Sequence, residues 1–298
     1  MSWKHLSAFA LAVLIIANVI FTILVISEYE KNNYFDQESI DELTELLSRS
    51  DIELSPDVMP KKRTDIRVYK SNVTKSGFEA AARVLVGGNL SVREGNMSAV
   101  GDNGKYTVTD DFGFSYVARG YEGEAGKYIA VSDKKAAEKT LSTVISFLNI
   151  RQIWDIPENR QAVKQPEYKV EKLMVYGGTG ALGAHIAEYL DGYKTGNYID
   201  AIVTGDEVKS ASGNIMFILP SRAYKAKNTD VFGVMIKEKQ RIDALGTNEK
   251  HTVVSLGYSL DLCFDVFGAA YLIPVCNVVY SDGTVYTYDI VSGECISE

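Results

Sequence analysis

Apolar positions along this chain follow three rhythms. The first is an unbroken run: residues 6–27 (LSAFALAVLIIANVIFTILVIS) contain no charge. That length matches the roughly 20 apolar residues needed to cross a bilayer as a helix. The second rhythm is helical. In residues 36–48, Ile40, Leu43, Leu46 and Leu47 share one stripe, and Ser39 with Glu42 has capping-box spacing. Residues 76–86 open on a second capping box, Ser76 with Glu79, and Gly87-Gly88 closes that helix. Residues 133–149 keep helical period through Ala137, Leu141, Val144, Ile145 and Leu148, with Ser132 or Asp133 as N-cap. Shorter helices are expected at residues 183–190 and 238–244.

The third rhythm is alternation. Ile52 and Leu54 alternate within an extended stretch ending at Pro60. Residues 106–109 and 114–117 flank a turn-prone Asp110-Asp111-Phe112-Gly113 and read as a hairpin. Strands are expected at residues 168–176, 198–204, 214–219 and 252–260. A last hairpin joins residues 270–280 to 284–291 through Ser281-Asp282-Gly283. Without strict βαβ alternation, this predicts an α+β fold with mainly antiparallel sheets and packed helices, plus one N-terminal transmembrane helix.

Charge gives the run an orientation. Lys4 precedes it, and Glu28 and Glu30 follow. The positive-inside rule then predicts a single-pass cell-membrane protein with a cytoplasmic N-terminus and an extracytoplasmic bulk. A cleavable secretory signal ending near Val25-Ile26-Ser27 is the alternative. The expected divisions are a head (1–5), the anchor (6–27), an N-terminal subdomain (28–153), a linker (154–166) and a C-terminal subdomain (167–298). The linker has two prolines and no periodicity. A net charge of −8, with no basic block, argues against nucleic-acid binding. Cys263, Cys276 and Cys295 allow at most one internal pair, and the three histidines have no zinc-like spacing. No metal or cofactor is expected.

One motif is conspicuous. Gly178, Gly180 and Gly183 fit G-x-G-x-x-G, after a strand-like and before a helix-like segment. Locally this resembles the dinucleotide turn of a short-chain dehydrogenase, with Asp200 or Asp206 as the acidic ribose partner and NAD as cofactor. The residues beyond supply strands and hairpins where a Rossmann fold needs further strand–helix units. A Gly-rich strand-to-helix turn is therefore the preferred reading. No G-x-S-x-G elbow is found, and no acidic pair can be assigned to acid–base work from sequence.

The order of elements resembles the YycH/YycI group, most closely YycI, of Gram-positive two-component-system regulators. The matching elements are Met1-Ser2-Trp3 before the anchor, the helix at 40–47, Asp51-Ile52-Glu53-Leu54 with Met59-Pro60, FEAAARVLVGG at 78–88, and Gly113-Phe114-Ser115-Tyr116. Leu256-Gly257-Tyr258, residues 270–275, Asp282-Gly283 and Ser292-Gly293-Glu294 complete it. The resemblance implies a PepSY-like C-terminal part and non-enzymatic modulation of a cell-wall sensor histidine kinase, with a YycH-like companion as a possible further partner. Within the anchor, Ser7, Ala8, Ala12, Asn18 and Thr22 fall within an arc of about 140° and form the expected partner-binding face. The rival reading is a binding module for cell-wall or peptide ligands. A concave, aromatic-lined pocket among the many tyrosines would favour it.

Overall fold

The computed structural model describes residues 14–15, 18–22, 24, 35–60, 66–71, 74–86, 91–93, 96–101, 104–109, 113–123, 127–215, 219–225, 230–246, 249–267 and 269–297. In chain order the first elements are α1 (Gln37–Ser48), β1 (Ile52–Leu54), β2 (Val68–Ser71), α2 (Lys75–Val86), β3 (Ser91–Arg93), β4 (Asn96–Gly101), β5 (Gly104–Val108), β6 (Gly113–Ala118) and β7 (Tyr128–Ala130). Next are α3 (Lys134–Phe147), α4 (Ile150–Trp154), β8 (Glu167–Tyr176), β9 (Leu182–Leu190), β10 (Tyr193–Thr204), β11 (Glu207–Asn214) and β12 (Pro220–Tyr224). The chain ends with α5 (Val231–Leu245), β13 (His251–Phe264), β14 (Ala270–Tyr280), β15 (Val285–Asp289) and β16 (Cys295–Ser297).

Two expectations are corrected. Sixteen strands against five α-helices among the described residues make the chain mostly β, not a helix-packed α+β fold. Much of the excess lies where helix or nothing was expected: residues 183–190 belong to β9, and β3 and β4 went unpredicted. Among the described residues no helix is long and apolar enough to cross a membrane, which overturns the single-pass topology and the cell-membrane localisation built on it. Most of residues 6–27 lies outside the described residues. The described positions there, including Asn18–Thr22, are helical and exposed.

The chain divides into two compact units, each assembled from separated stretches. The first comprises residues 1–66, 227–257 and 276–298; the second comprises 67–226 and 258–275. The segment 154–166 lies inside the second.

In the first unit, Asp36 rather than Ser39 caps α1, its carboxylate accepting the Ser39 N–H at 2.8 Å. Ile40, Leu43 and Leu47 are buried, as a helical stripe requires. β1 buries Ile52 and Leu54 and pairs in parallel with β13, Ile52 opposite His251. Asp230 caps α5, and Gly246 ends it in the left-handed region (φ 63°). The Asp282-Gly283 turn forms as expected, with Gly283 N–H donating to the Tyr280 carbonyl at 3.0 Å.

In the second unit, strands run in the order β3-β4-β5-β6-β11-β10-β9-β8-β7, every neighbouring pair antiparallel. β10 forks: Tyr198–Thr204 pair with β11, while Lys194 and Thr195 pair in parallel with Ser259 and Leu260 of β13. α3 packs across β8 to β11. Its N-cap Asp133 accepts from Lys135 N and Ala136 N, and Thr140 and Val144 are buried. Val144, Leu148, Ile150 and Ile153 join Leu173, Ala184, Ile186 and Ile199 in one apolar core. Burial of such side chains contributes roughly 1.5–3 kcal/mol each.

Candidate ligand-binding groove

Asn149 adopts φ 53°, turning the chain sharply from α3 into α4. α4 buries Ile150 and Ile153, which leaves Trp154 at the margin of the sheet. There its indole stacks on the Tyr168 ring of β8, centroids 6.3 Å apart and planes within 8°. Asn159 fixes this corner: its amide donates to the Ile153 carbonyl at 2.7 Å, and its side-chain oxygen accepts the Leu219 N–H at 3.0 Å.

Tyr168 is held from below. Its hydroxyl donates to Glu188 at 2.7 Å; this fully buried carboxylate also accepts from Thr195 Oγ1 (2.9 Å) and Asn197 Nδ2 (2.8 Å). Burial, then the Glu188 charge, pushes the Tyr168 phenol well above its usual pKa, so it remains a donor. Three donors on one carboxylate satisfy a group that would be costly to bury alone.

Between α3 and the start of β8 these residues line a groove of about 500 Å³. Leu141, Ile145, Trp154 and Tyr168 supply its apolar and aromatic walls; Glu138, Arg151, Glu167 and Lys169 supply charge. Lys134 approaches Glu138 at 3.8 Å and Lys169 approaches Glu167 at 4.0 Å. The Trp154 indole N–H, shielded from water, has no acceptor among the described residues. An aromatic platform with a few charged groups at its rim suits recognition more than chemistry.

The opposite face of the sheet carries a second cluster. His185 on β9 faces Asp200 on β10 directly, Nδ1 to Oδ1 2.7 Å. Glu171 lies 3.9 Å from His185 Nε2 and accepts from Lys194 Nζ at 2.6 Å and Tyr189 OH at 2.7 Å. Burial raises the Glu171 pKa, but Lys194 and Tyr189 outweigh it and the net shift is down. Each carboxylate is thus matched by a donor, and among the described residues no group of three or more His, Cys, Asp or Glu could hold a metal.

The residues singled out in the sequence separate. Gly178 and Gly180 sit in the β8–β9 turn with φ 101° and 68°, and Gly183 is within β9. This corrects the strand-to-helix reading, because strand follows the turn and no helix N-terminus stands there to receive a pyrophosphate. Asp200 binds His185, and Asp206 pairs with Lys139 at 2.8 Å. Cys276 is a buried thiol, and burial pushes it up to about 12. Ser7, Ala8 and Ala12 lie outside the described residues; Thr22 Oγ1 donates to the Asn18 carbonyl at 2.8 Å. Sequence reading placed Trp154 at the head of a linker. The available signal was Ile150, Ile153 and Trp154 at helical spacing before Pro157.

No protein-family model matches this chain, and no curated protein does. Among solved structures it is similar to an uncharacterized protein from Eubacterium rectale ATCC 33656. The alignment covers 83% of this chain and 90% of that one, at 11% identity and a TM-score of 0.42, a likeness too remote to carry an argument.

Proposed function

We propose that this chain is a ligand-binding module that acts by holding a peptide or glycan ligand in the groove between α3 and β8. The observation that carries this reading is the Trp154–Tyr168 stack on the wall of a concave site of about 500 Å³. Aromatic faces give large contact area at low entropic cost. Modulation of a sensor kinase rests on the sequence resemblance, and no side-chain contact among the described residues adds to it.

The chain has two tryptophans, Trp3 and Trp154. A Trp3→Phe variant therefore makes emission report on the groove. Titration with peptides and with short amino-sugar oligomers should give a saturable change for one class, abolished by Ser142→Arg on the groove wall. Flat titrations with both classes would remove the binding reading.

A further inference from the structure

The groove adjoins an open stretch of sheet edge. β7 covers only the end of β8, Tyr128 to Ala130 opposite Tyr176 to Met174, and the Val131 N–H closes the pairing on the Leu173 carbonyl at 2.8 Å. Beyond Leu173, residues 167–172 pair with β9 on one side, and no strand pairs with their other side among the described residues. An edge of this kind presents unpaired N–H and C=O groups and accepts an added strand. On this one Tyr168 shares the core face with Val170 and lines the groove together with Glu167 and Lys169, whereas Glu171 and Lys172 are not among its lining residues.

The edge is selective rather than sticky. A bulge between Val170 and Lys172 interrupts the ladder, and charged side chains flank it. Both devices discourage indiscriminate pairing. The charges also specify the guest. Glu138, Glu167 and Glu171 are each matched by a lysine: Lys134, Lys169 and Lys194. Arg151 and Lys172 carry no ion pair among the described residues. The charge left unmatched along the edge is positive.

We infer that residues 167–172 of β8 receive an extended acidic peptide as an added strand in line with β7, with one aromatic or large apolar side chain seated against Trp154 and Tyr168. This rests on the binding reading above and names its ligand class. Main-chain pairing supplies affinity, the groove selects the anchor side chain, and Arg151 and Lys172 select acidic neighbours.

The test begins by selecting phage-displayed random dodecapeptides on the full-length chain. Enriched peptides should be acidic with an aromatic or bulky apolar residue, and should change Trp154 emission. Amide exchange at residues 167–172 should slow by about tenfold or more on binding, and N-methylation of alternate peptide residues should weaken binding by about tenfold in one register and not the other. Arg151→Glu with Lys172→Glu, both exposed, should weaken binding by about tenfold at low salt and less at high salt. Peptides that change Trp154 emission yet tolerate N-methylation in both registers and leave residues 167–172 unprotected would overturn strand addition and keep the groove. Amino-sugar oligomers changing the emission with no peptide enriched would also overturn it. If neither class changes the emission, the groove reading itself fails.

Discussion

At the residue scale, two buried glutamates organise the interior, and both are testable. Glu188 sits in β9 with no solvent exposure and takes the Tyr168 hydroxyl among its donors. Tyr168→Phe removes that donor and keeps the ring, so it should cost about 1–3 kcal/mol in urea unfolding while leaving the Trp154 stack in place. An unchanged midpoint would mean that the hydroxyl contributes nothing to stability. Glu238 in α5 is likewise buried. It accepts Arg241 Nη2 at 2.7 Å and Nε at 2.9 Å, together with the hydroxyls of Tyr280 and Tyr288, while the Arg241 guanidinium lies 3.7 Å from the Tyr286 ring centre. Burial pushes the Glu238 pKa up, but Arg241 and the two phenols outweigh it and hold it below its ordinary 4.5. A carboxylate with a depressed folded pKa stabilises fully above the unfolded value and loses that contribution as pH falls through the folded one. Urea midpoints should therefore decline below about pH 4.5, and less steeply in Glu238→Gln. Removing the partner by Arg241→Ala should cost about 3–5 kcal/mol at neutral pH. These residues also show where sequence reading fails. Glu188 and Glu238 have the composition of surface, and only the donors brought from other elements make their burial tolerable.

At the scale of elements, what was legible followed from local chemistry. α1 was readable from its stripe of isoleucine and leucines although its cap is Asp36 and not the Ser39 of the capping-box reading, and α3 because Asp133 stands before a stripe of leucines, isoleucines and valines; the Asp282-Gly283 hairpin was readable because its turn residues are specific. β9 was not. Ala184, Ala187 and Leu190 favour a helix, and its alternation is broken by Glu188 on the buried side and Ala187 on the other. The sheet on both flanks decides the matter, since β8 and β10 each pair along it. The glycines before it then have a structural duty. Gly180 holds φ 68°, where an L side chain costs about 1–2 kcal/mol. Gly180→Ala should lower stability by that amount and leave groove binding intact, whereas a dinucleotide turn would lose NAD binding. A methyl at Gly183 would come within 2.8 Å of the Tyr176 ring, so Gly183→Ala should disturb packing at the same hairpin. The groove was hidden for a related reason. Trp154 and Tyr168 are near in sequence, but the turns that stack them depend on Asn149 and Asn159, neither of which signals a site by type.

At the scale of the molecule, the chain passes between its two compact units four times, after residues 66, 226, 257 and 275. Long-range returns of this kind leave no local mark, because unit membership is set by pairing partners far away in sequence, such as β1 with β13. Cutting the chain has predictable consequences. The buried members of the main apolar core run from Ala81 to Ile215, all within residues 67–226. A fragment of residues 67–226 keeps the buried members of that core, α3, α4 and the whole antiparallel ladder from β3 to β7, and gives up β14 beside β2, β13 beside the fork of β10, and with β13 the partly buried Leu262. It should unfold cooperatively and retain the Trp154 environment. A fragment of residues 161–298 has β8 to β11 without α3 or α4, so Leu173, Ile186 and Ile199 would lose the side chains that cover them, and it should show no cooperative transition. Calorimetry of the two, with exchange protection at β9 as the residue-level readout, decides the point. Cooperative unfolding of 161–298 would mean that the core is divided near residue 160, and that α3 and α4 decorate the sheet rather than complete it.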